Sequence, residues 1–191
     1  MDLIKEIKEI KKQLSKLEKF AKEEKKVKQL TISDIKVGEQ FVYGGRNYTK
    51  LNEECFVIID DYDSDFMYCI FDPITNNYDE SLVRYYINSD RFIEKLGVNK
   101  KDIITHYLND CITLLSKEEF ENYEEFIRDY TGWYWTRSTY SNNTITACVI
   151  NSNGTINNYN VNHAYRVRVG FTLNPDTLIS RKVNEYRKNQ E

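Results

Sequence analysis

The sequence contains none of the short motifs by which the common enzyme classes are recognised. It has no G-x-S-x-G elbow, no H-E-x-x-H helix, no Walker loop and no dinucleotide fingerprint. The 2 histidines, His106 and His163, have neither a Cys, Asp or Glu at metal-ligand spacing nor a nucleophile motif nearby. We therefore expect a protein that is not an enzyme and that uses no cofactor.

Paired cysteines and long apolar runs are also lacking. The 4 cysteines lie far apart and form no C-x-x-C pair, which argues against zinc and redox sites and favours buried, reduced thiols. No stretch approaches the ~18 apolar residues that a membrane span requires, and residues 1–20 are too charged for a signal peptide. These absences predict a soluble protein, made in the cytoplasm, without membrane contact.

Charge is divided unevenly along the chain. The formal charge of −3 combines a leader, residues 1–30, of net +4 with a remainder of net −7. Affinity for nucleic acid comes chiefly from Lys and Arg that displace counterions. An acidic body therefore argues against direct nucleic-acid binding.

The basic leader carries an apolar stripe at the spacing of a coiled coil. The stripe consists of Leu3, Ile7, Ile10, Leu14, Leu17 and Ala21, at spacings of 4, 3, 4, 3 and 4. This pattern predicts a coiled-coil helix over 1–30 through which two or three copies self-associate. The alternatives are one amphipathic helix lying on its own body, or a lysine-rich contact with an acidic partner or with nucleic acid.

After the leader, turn and capping signals divide the chain into short elements. Three strands are expected at Gln40–Tyr43, 48–51 and Phe56–Ile59, with a turn at Gly44-Gly45. Helices are expected from Asp79 and at Asp90–Leu96, where Gly97 ends the second. A strand over 111–115 leads into the capping box Ser116-Lys-Glu-Glu119 and a third helix.

Two aromatic-rich runs follow, and both favour strands. In residues 165–173, Val and Phe alternate with Arg166 and Arg168, which predicts one strand with its arginines facing out. In residues 133–138, Trp133 and Trp135 share one face and are expected in the core, with Tyr134 outward. Between the two runs, Asn153-Gly154 predicts a turn between short strands.

Five motifs in order carry a resemblance to a known family. They are Val-Gly-x-x-Phe at 37–41, Ser-Leu-Val-Arg at 81–84, Thr-Leu-Leu-Ser at 113–116, Trp-Tyr-Trp-Thr-Arg-Ser at 133–138, and Val-Arg-x-x-Phe-x-Leu at 167–173. Together they resemble a domain of unknown function of low-GC Gram-positive bacteria and their phages, which is similar to C-type-lectin-like domains.

The resemblance implies an α+β fold. It would place a C-type-lectin-like domain at 31–174, with a twisted antiparallel sheet, two or three helices and an irregular region at 139–164. A charged tail would follow at 175–191. Thr139 stands where the family has Pro, and Val169-Gly170 where it has Pro-Ala, and the family has no established catalytic residues to carry over.

The polar aromatic loops are the first candidates for a binding surface. Tyr with Asn and Ser is typical of adaptable recognition loops. The candidate residues are Tyr140, Asn142, Asn143, Asn157, Asn158, Tyr159 and Asn160. With the resemblance, they predict a phage-encoded virion or tail accessory that binds a host surface glycan or protein.

An acidic segment supplies the alternative surface. Residues 53–65 contain six carboxylates and no base, and Asp61, Asp63 and Asp65 alternate. Such a surface suits a basic protein partner, which leads to a second hypothesis: an inhibitor in the host cytoplasm that blocks a defence protein such as a CRISPR nuclease. A calcium loop is a further possibility, although the Gly and closing Glu of an EF-hand are absent.

Overall fold

The computed structural model describes residues 10–16, 29–62, 64–105, 109–127, 132–139 and 143–181. The chain divides into two units, Met1–Leu30 and Thr31–Glu191. In the first unit, residues 10–16 are helical, and Ile10 and Leu14 are 63% and 55% exposed. Leu3, Ile7, Leu17 and Ala21 lie outside the described residues, as does most of the predicted coiled-coil helix.

The second unit is mostly β structure, so the predicted α+β fold class is wrong. Its helices have only six or seven residues. In the part of the chain that the structure describes, the long N-terminal coiled-coil helix of the prediction is not present, and the C-type-lectin-like arrangement gives way to two sheets. The helices are short, and the many segments rich in Val, Tyr and Thr form strands. The sheets therefore supply most of the core.

Twelve strands are described. They are β1 Gln40–Tyr43, β2 Arg46–Lys50, β3 Phe56–Ile59, β4 Tyr68–Ile70, β5 Ile103–Ile104, β6 Thr113–Leu114, β7 Tyr134–Thr139, β8 Thr146–Ile150, β9 Ile156–Asn160, β10 Ala164–Val167, β11 Val169–Leu173 and β12 Ser180–Arg181. The helices are α1 Leu82–Ile87, α2 Asp90–Leu96 and α3 Lys117–Tyr123. Single 3₁₀ turns are described at Ile32–Asp34, Asp65–Met67, Tyr78–Glu80, Lys100–Asp102 and Glu124–Phe126.

The first sheet has seven strands and is antiparallel throughout. Its order is β12-β1-β2-β3-β11-β5, with β6 also paired to β11. Tyr48 is fully buried between the ring of Phe41, at 5.9 Å, and the edge of Phe171, at 5.3 Å. Residues 175–181, predicted as the start of a charged tail, close this sheet through β12, whereas 182–191 lie outside the described residues.

The second sheet has five strands in the order β4-β10-β7-β8-β9. Only the pairing of β10 with β7 is parallel among its described pairs. The region predicted as irregular, 139–164, contains the regular hairpin of β8 and β9, so that expectation is wrong. Asn151 and Gly154 form its turn, as the Asn-Gly signal predicts.

Helix α2 has its predicted bounds, whereas the helix expected from Asp79 begins only at Leu82, after the 3₁₀ turn Tyr78–Glu80. Ser81 and Ser89 accept hydrogen bonds from the first turns of α1 and α2, and Gly97 ends α2 with a φ of 71°. Gly97 also packs against Gly44 of the first hairpin, where an added Cβ would lie 2.2 Å from the Gly97 carbonyl oxygen. Glycine at these two positions therefore lets hairpin and helix meet backbone to backbone.

Residues 165–173 form two strands in two different sheets, and not one strand with its arginines outward. β10 belongs to the second sheet, β11 to the first, and Arg168 stands between them. Its side chain is fully buried: Nε donates to the Ile59 carbonyl oxygen at 3.0 Å and Nη2 to Asp60 Oδ1 at 3.1 Å. The guanidinium lies 4.6 Å from the Tyr62 ring centre. A charged, hydrogen-bonded side chain thus joins the sheets, which alternation alone could not predict.

β7 is covered on both faces, because Tyr134 and Trp135 are both buried. Trp135 packs against Phe71 at 5.4 Å, and Tyr134 against Tyr62 at 5.7 Å. The outward Tyr134 of the prediction is therefore wrong, and Trp133, expected in the core, is half-buried. Across the described ranges, no helix has the length and apolar character needed to cross a bilayer.

Candidate functional site

The second sheet curls so that its two edges approach each other. In a flat sheet, β9 and β10 would stand three strand spacings apart, about 14 Å. Instead, Tyr159 of β9 and Tyr165 of β10 have ring centres 5.5 Å apart. The backbone N–H groups of Phe71 and Asp72, after β4, also donate to the Val161 carbonyl oxygen, after β9. The sheet is therefore strongly curled, and the rings of Tyr159 and Tyr165 lie side by side on one of its faces.

These side chains form a cluster that runs from the core to the surface. Trp133 lies 4.7 Å from Tyr159 and 5.6 Å from Tyr165, measured between ring centres. Below them, Tyr165 meets buried Trp135 edge-on at 5.0 Å. Exposed His163 lies beside Tyr165 at 6.3 Å. We call Trp133, Tyr159, Tyr165 and His163 the aromatic cluster.

The deeper ring is held in place, whereas the outer rings keep polar groups available. Trp135 Nε1 donates to the Cys69 carbonyl oxygen at 3.1 Å. No hydrogen bond to another described residue occupies the Trp133 indole N–H or the hydroxyls of Tyr159 and Tyr165. Burial, and then the neighbouring Tyr159, raise the pKa of Tyr165, so this hydroxyl stays protonated and can donate. The cluster thus offers ring faces for stacking and donors at their rims.

Of the predicted loop residues, β9 brings Asn157 and Tyr159 to one face of a strand. They are two residues apart, and Asn157 is exposed. Asn158 and Asn160 take the other face: Asn158 Oδ1 lies 3.2 Å from Cys148 Sγ, and Asn160 Oδ1 accepts from the Asn162 N–H.

Asn143 is the remaining predicted loop residue that the structure describes, and it lies in a turn. Its Oδ1 accepts from the Ile145 N–H, and its carbonyl oxygen accepts from Asn76. Tyr140 and Asn142 lie outside the described residues. The prediction missed Trp133, Tyr165 and His163 as members of the site. The sequence feature that could have indicated them is their position near the two ends of an uncharged, asparagine-rich segment. Only the curling of the second sheet brings them together.

Two carboxylates of the acidic segment, Asp60 and Asp61, have partners within the domain, whereas Glu53, Glu54 and Asp65 are exposed. Asp61 accepts from the backbone and side chain of Asn47, at 2.6 to 3.0 Å, and Asp60 binds Arg168. Asp65 opens a 3₁₀ turn, and Asp63 lies outside the described residues. Within the described ranges, no group of three or more His, Cys, Asp or Glu side chains is placed to hold a metal ion.

A separate depression of about 300 Å³ lies beside α2. Its lining consists of Asp65, Phe66, Tyr86, Arg91, Phe92 and Lys95. Lys95 Nζ and the Arg46 guanidinium lie 5.4 and 5.0 Å from the Phe66 ring centre, and Arg46 donates to the Lys95 carbonyl oxygen. These cations already have an aromatic partner in the fold, so the depression is a weaker candidate than the aromatic cluster.

The Arg-Ser end of the motif at 133–138 has a structural role. Arg137 binds Glu119 through two bonds of 2.5 Å and donates to the Leu114 carbonyl oxygen. Glu119 also accepts from the Ser116 N–H, which confirms the capping box, and Ser138 Oγ accepts from the Lys117 N–H. The motif therefore ties β7 to the start of α3.

The fold and site define a mostly β domain with an open, uncharged aromatic cluster on a curled sheet. A family model, Domain of unknown function (DUF6273), matches residues 112–175, about one third of the chain. The match runs from just before β6 to just after β11, so it contains the aromatic cluster, Arg137 and Arg168. No curated protein and no solved structure matches this chain.

Proposed function

We propose that this chain is a non-enzymatic recognition module that binds a glycan through the aromatic cluster. The observation that supports this most is the ring arrangement: the half-buried rings of Trp133, just before β7, Tyr159 of β9 and Tyr165 of β10 meet, and their polar groups have no hydrogen bond to another described residue. Sugar rings present apolar C–H faces edged by hydroxyls, and aromatic faces with nearby hydrogen-bonding groups suit that chemistry. Stacking and hydrogen bonding are the chemistry that these side chains offer.

Two further parts of the proposal rest on sequence alone. The family resemblance implies a phage protein, for which a host surface glycan is a fitting ligand, and several copies joined through the leader would multiply weak contacts. The alternative is an inhibitor with an acidic docking surface, for which Asp60 and Asp61 are less suited because they hold partners inside the domain.

Binding to an immobilised glycan array tests the proposal. Full-length protein should capture a defined subset of glycans, and Tyr159→Ala should weaken that capture by about 5- to 30-fold, the equivalent of about 1–2 kcal/mol of lost stacking. Tyr85→Ala is the matched control, because Tyr85 is a tyrosine 63% exposed on α1. If the wild-type protein captures no glycan, or if wild type, Tyr159→Ala and Tyr85→Ala capture glycans equally well, the proposal is contradicted.

Fluorescence quenching provides a second readout of the same site. The chain has 2 tryptophans, of which Trp135 is fully buried and Trp133 half-buried. Iodide should quench only part of the emission, and a captured glycan should protect that part. Protection without an effect of Tyr159→Ala would place the ligand away from the cluster.

A further inference from the structure

We propose that the aromatic cluster selects uncharged sugars, neutral hexoses or N-acetylhexosamines, and rejects sugars that carry carboxylate, sulfate or phosphate. This inference rests on the proposed function and specifies its ligand class. It would also make binding insensitive to salt, because no charge pair contributes to it.

The segment that builds the site has no charged residue in a chain that is otherwise rich in them. Asp, Glu, Lys and Arg make up 30% of the sequence, yet none occurs between Arg137 and Arg166. That segment supplies β8, β9, His163 and Tyr165, and only Trp133 comes from outside it. Its polar side chains are mostly Asn, Ser and Thr. The site is therefore built from amides, hydroxyls and rings.

The arginines at and just beyond the ends of this segment make contacts elsewhere in the fold. Arg137 is held by Glu119 and the Leu114 carbonyl oxygen. Arg166 follows Tyr165 on β10 and so takes the opposite face of the strand, where its guanidinium lies 5.0 Å from the Tyr68 ring centre. Arg168 is buried on Asp60 and Ile59. Arg137 and Arg168 are thus held by other groups, and Arg166 lies on the face of β10 opposite Tyr165.

Among the described residues, the segment that builds the aromatic cluster offers an anionic sugar no cation in exchange for the water that it would lose. Transfer of an ionised group to a poorly hydrated surface is costly unless a charged or strong hydrogen-bond partner replaces the water. A neutral sugar has only hydroxyl or acetamide groups to satisfy, and the exposed amide of Asn157 lies on the same face of β9 as Tyr159. The lack of a cation therefore contributes to specificity, because it weakens the binding of anionic sugars relative to neutral ones.

A matched pair of sugars separates this inference from the proposed function. The probes are a tetramer of N-acetylglucosamine and the same tetramer with 6-O-sulfate groups, titrated into full-length protein with Trp fluorescence as the readout. We expect the neutral tetramer to bind at least about tenfold more tightly, with a Kd that changes less than about twofold between low and high salt.

Two lysine variants supply the control. Asn157→Lys adds a cation on the Tyr159 face of β9. It should strengthen binding of the sulfated tetramer and so reduce the preference for the neutral tetramer. Asn158→Lys adds the same charge on the opposite face and should leave the preference as it is. Circular dichroism checks that both variants fold.

Each outcome has one meaning. Equal or tighter binding of the sulfated tetramer by wild type overturns the neutral-sugar inference and leaves the proposed function standing. An equal effect of the two lysines also overturns it, because charge would then act from either face. If neither tetramer nor any arrayed glycan binds, the proposed function fails and this inference fails with it.

Discussion

Arg168 should be a principal stabilising contact between the two sheets. Its side chain has no solvent exposure, donates to Ile59 and Asp60, and lies over the Tyr62 ring. Arg168→Met keeps much of the volume but removes the charge, both hydrogen bonds and the ring contact. Loss of one member of a buried pair costs about 3–5 kcal/mol.

The lower end of that range applies here. Without Arg168, the Asp60 carboxylate keeps two donors, Thr49 Oγ1 at 2.8 Å and Gln40 Nε2 at 2.9 Å, and its side chain is 11% exposed. We therefore expect Arg168→Met to reduce the free energy of unfolding by about 3 kcal/mol, which lowers Tm by about 6–12 °C for a domain of this size.

Urea denaturation followed by circular dichroism measures this loss. Arg91→Met is the control, because Arg91 is exposed and its loss should change stability by no more than about 0.5 kcal/mol. The double variant Asp60→Asn with Arg168→Met should cost less than the sum of the single variants, since the two side chains are in contact. A cost below about 1 kcal/mol for Arg168→Met, or strict additivity, refutes the reasoning.

Three more predictions follow from other parts of the molecule. Burial raises the pKa of Tyr43 and of Tyr78 to about 12, so the unfolded chain releases these protons first, and stability should fall as pH rises above ~10, as urea midpoints would show. Ser116→Ala removes the Oγ that accepts from the Glu119 N–H at 3.0 Å and should cost about 1 kcal/mol in the same assay. Self-association through the leader should give a light-scattering mass above 22.8 kDa, and Asp at both Ile10 and Leu14 should reduce it to one copy.

Each of these predictions has its own contrary result. A flat urea midpoint between about pH 9 and pH 11.5 would mean that the two hydroxyls are not desolvated by the fold. An unchanged midpoint for Ser116→Ala would mean that the Glu119 side chain alone caps α3. If the wild-type protein has the mass of one chain, the leader does not join several copies, and that part of the proposed function is wrong.

Much of the local structure could be predicted from the sequence, because its signals act within a few residues. Strands β1 and β3 have their predicted bounds, Gly44-Gly45 forms the first turn, and Gly97 ends α2. The Ser116–Glu119 capping box forms as predicted. In each case a side chain or a glycine dihedral satisfies a backbone group nearby, so the pattern and its physical cause lie in the same short stretch.

Only the tertiary structure decided which sheet each strand joins and which side chains meet. Arg168 looks like an outward residue of one amphipathic strand, yet it binds the carbonyl group of Ile59, 109 positions away, and the strand divides there. Trp133, Tyr159 and Tyr165 become neighbours because the second sheet curls and brings β9 over β10. The alternation of apolar and polar residues along a strand shows that one face is covered, but it does not show which residues cover it. The curling of the second sheet and the passage of the chain from one sheet to the other depend on contacts between residues far apart in the chain.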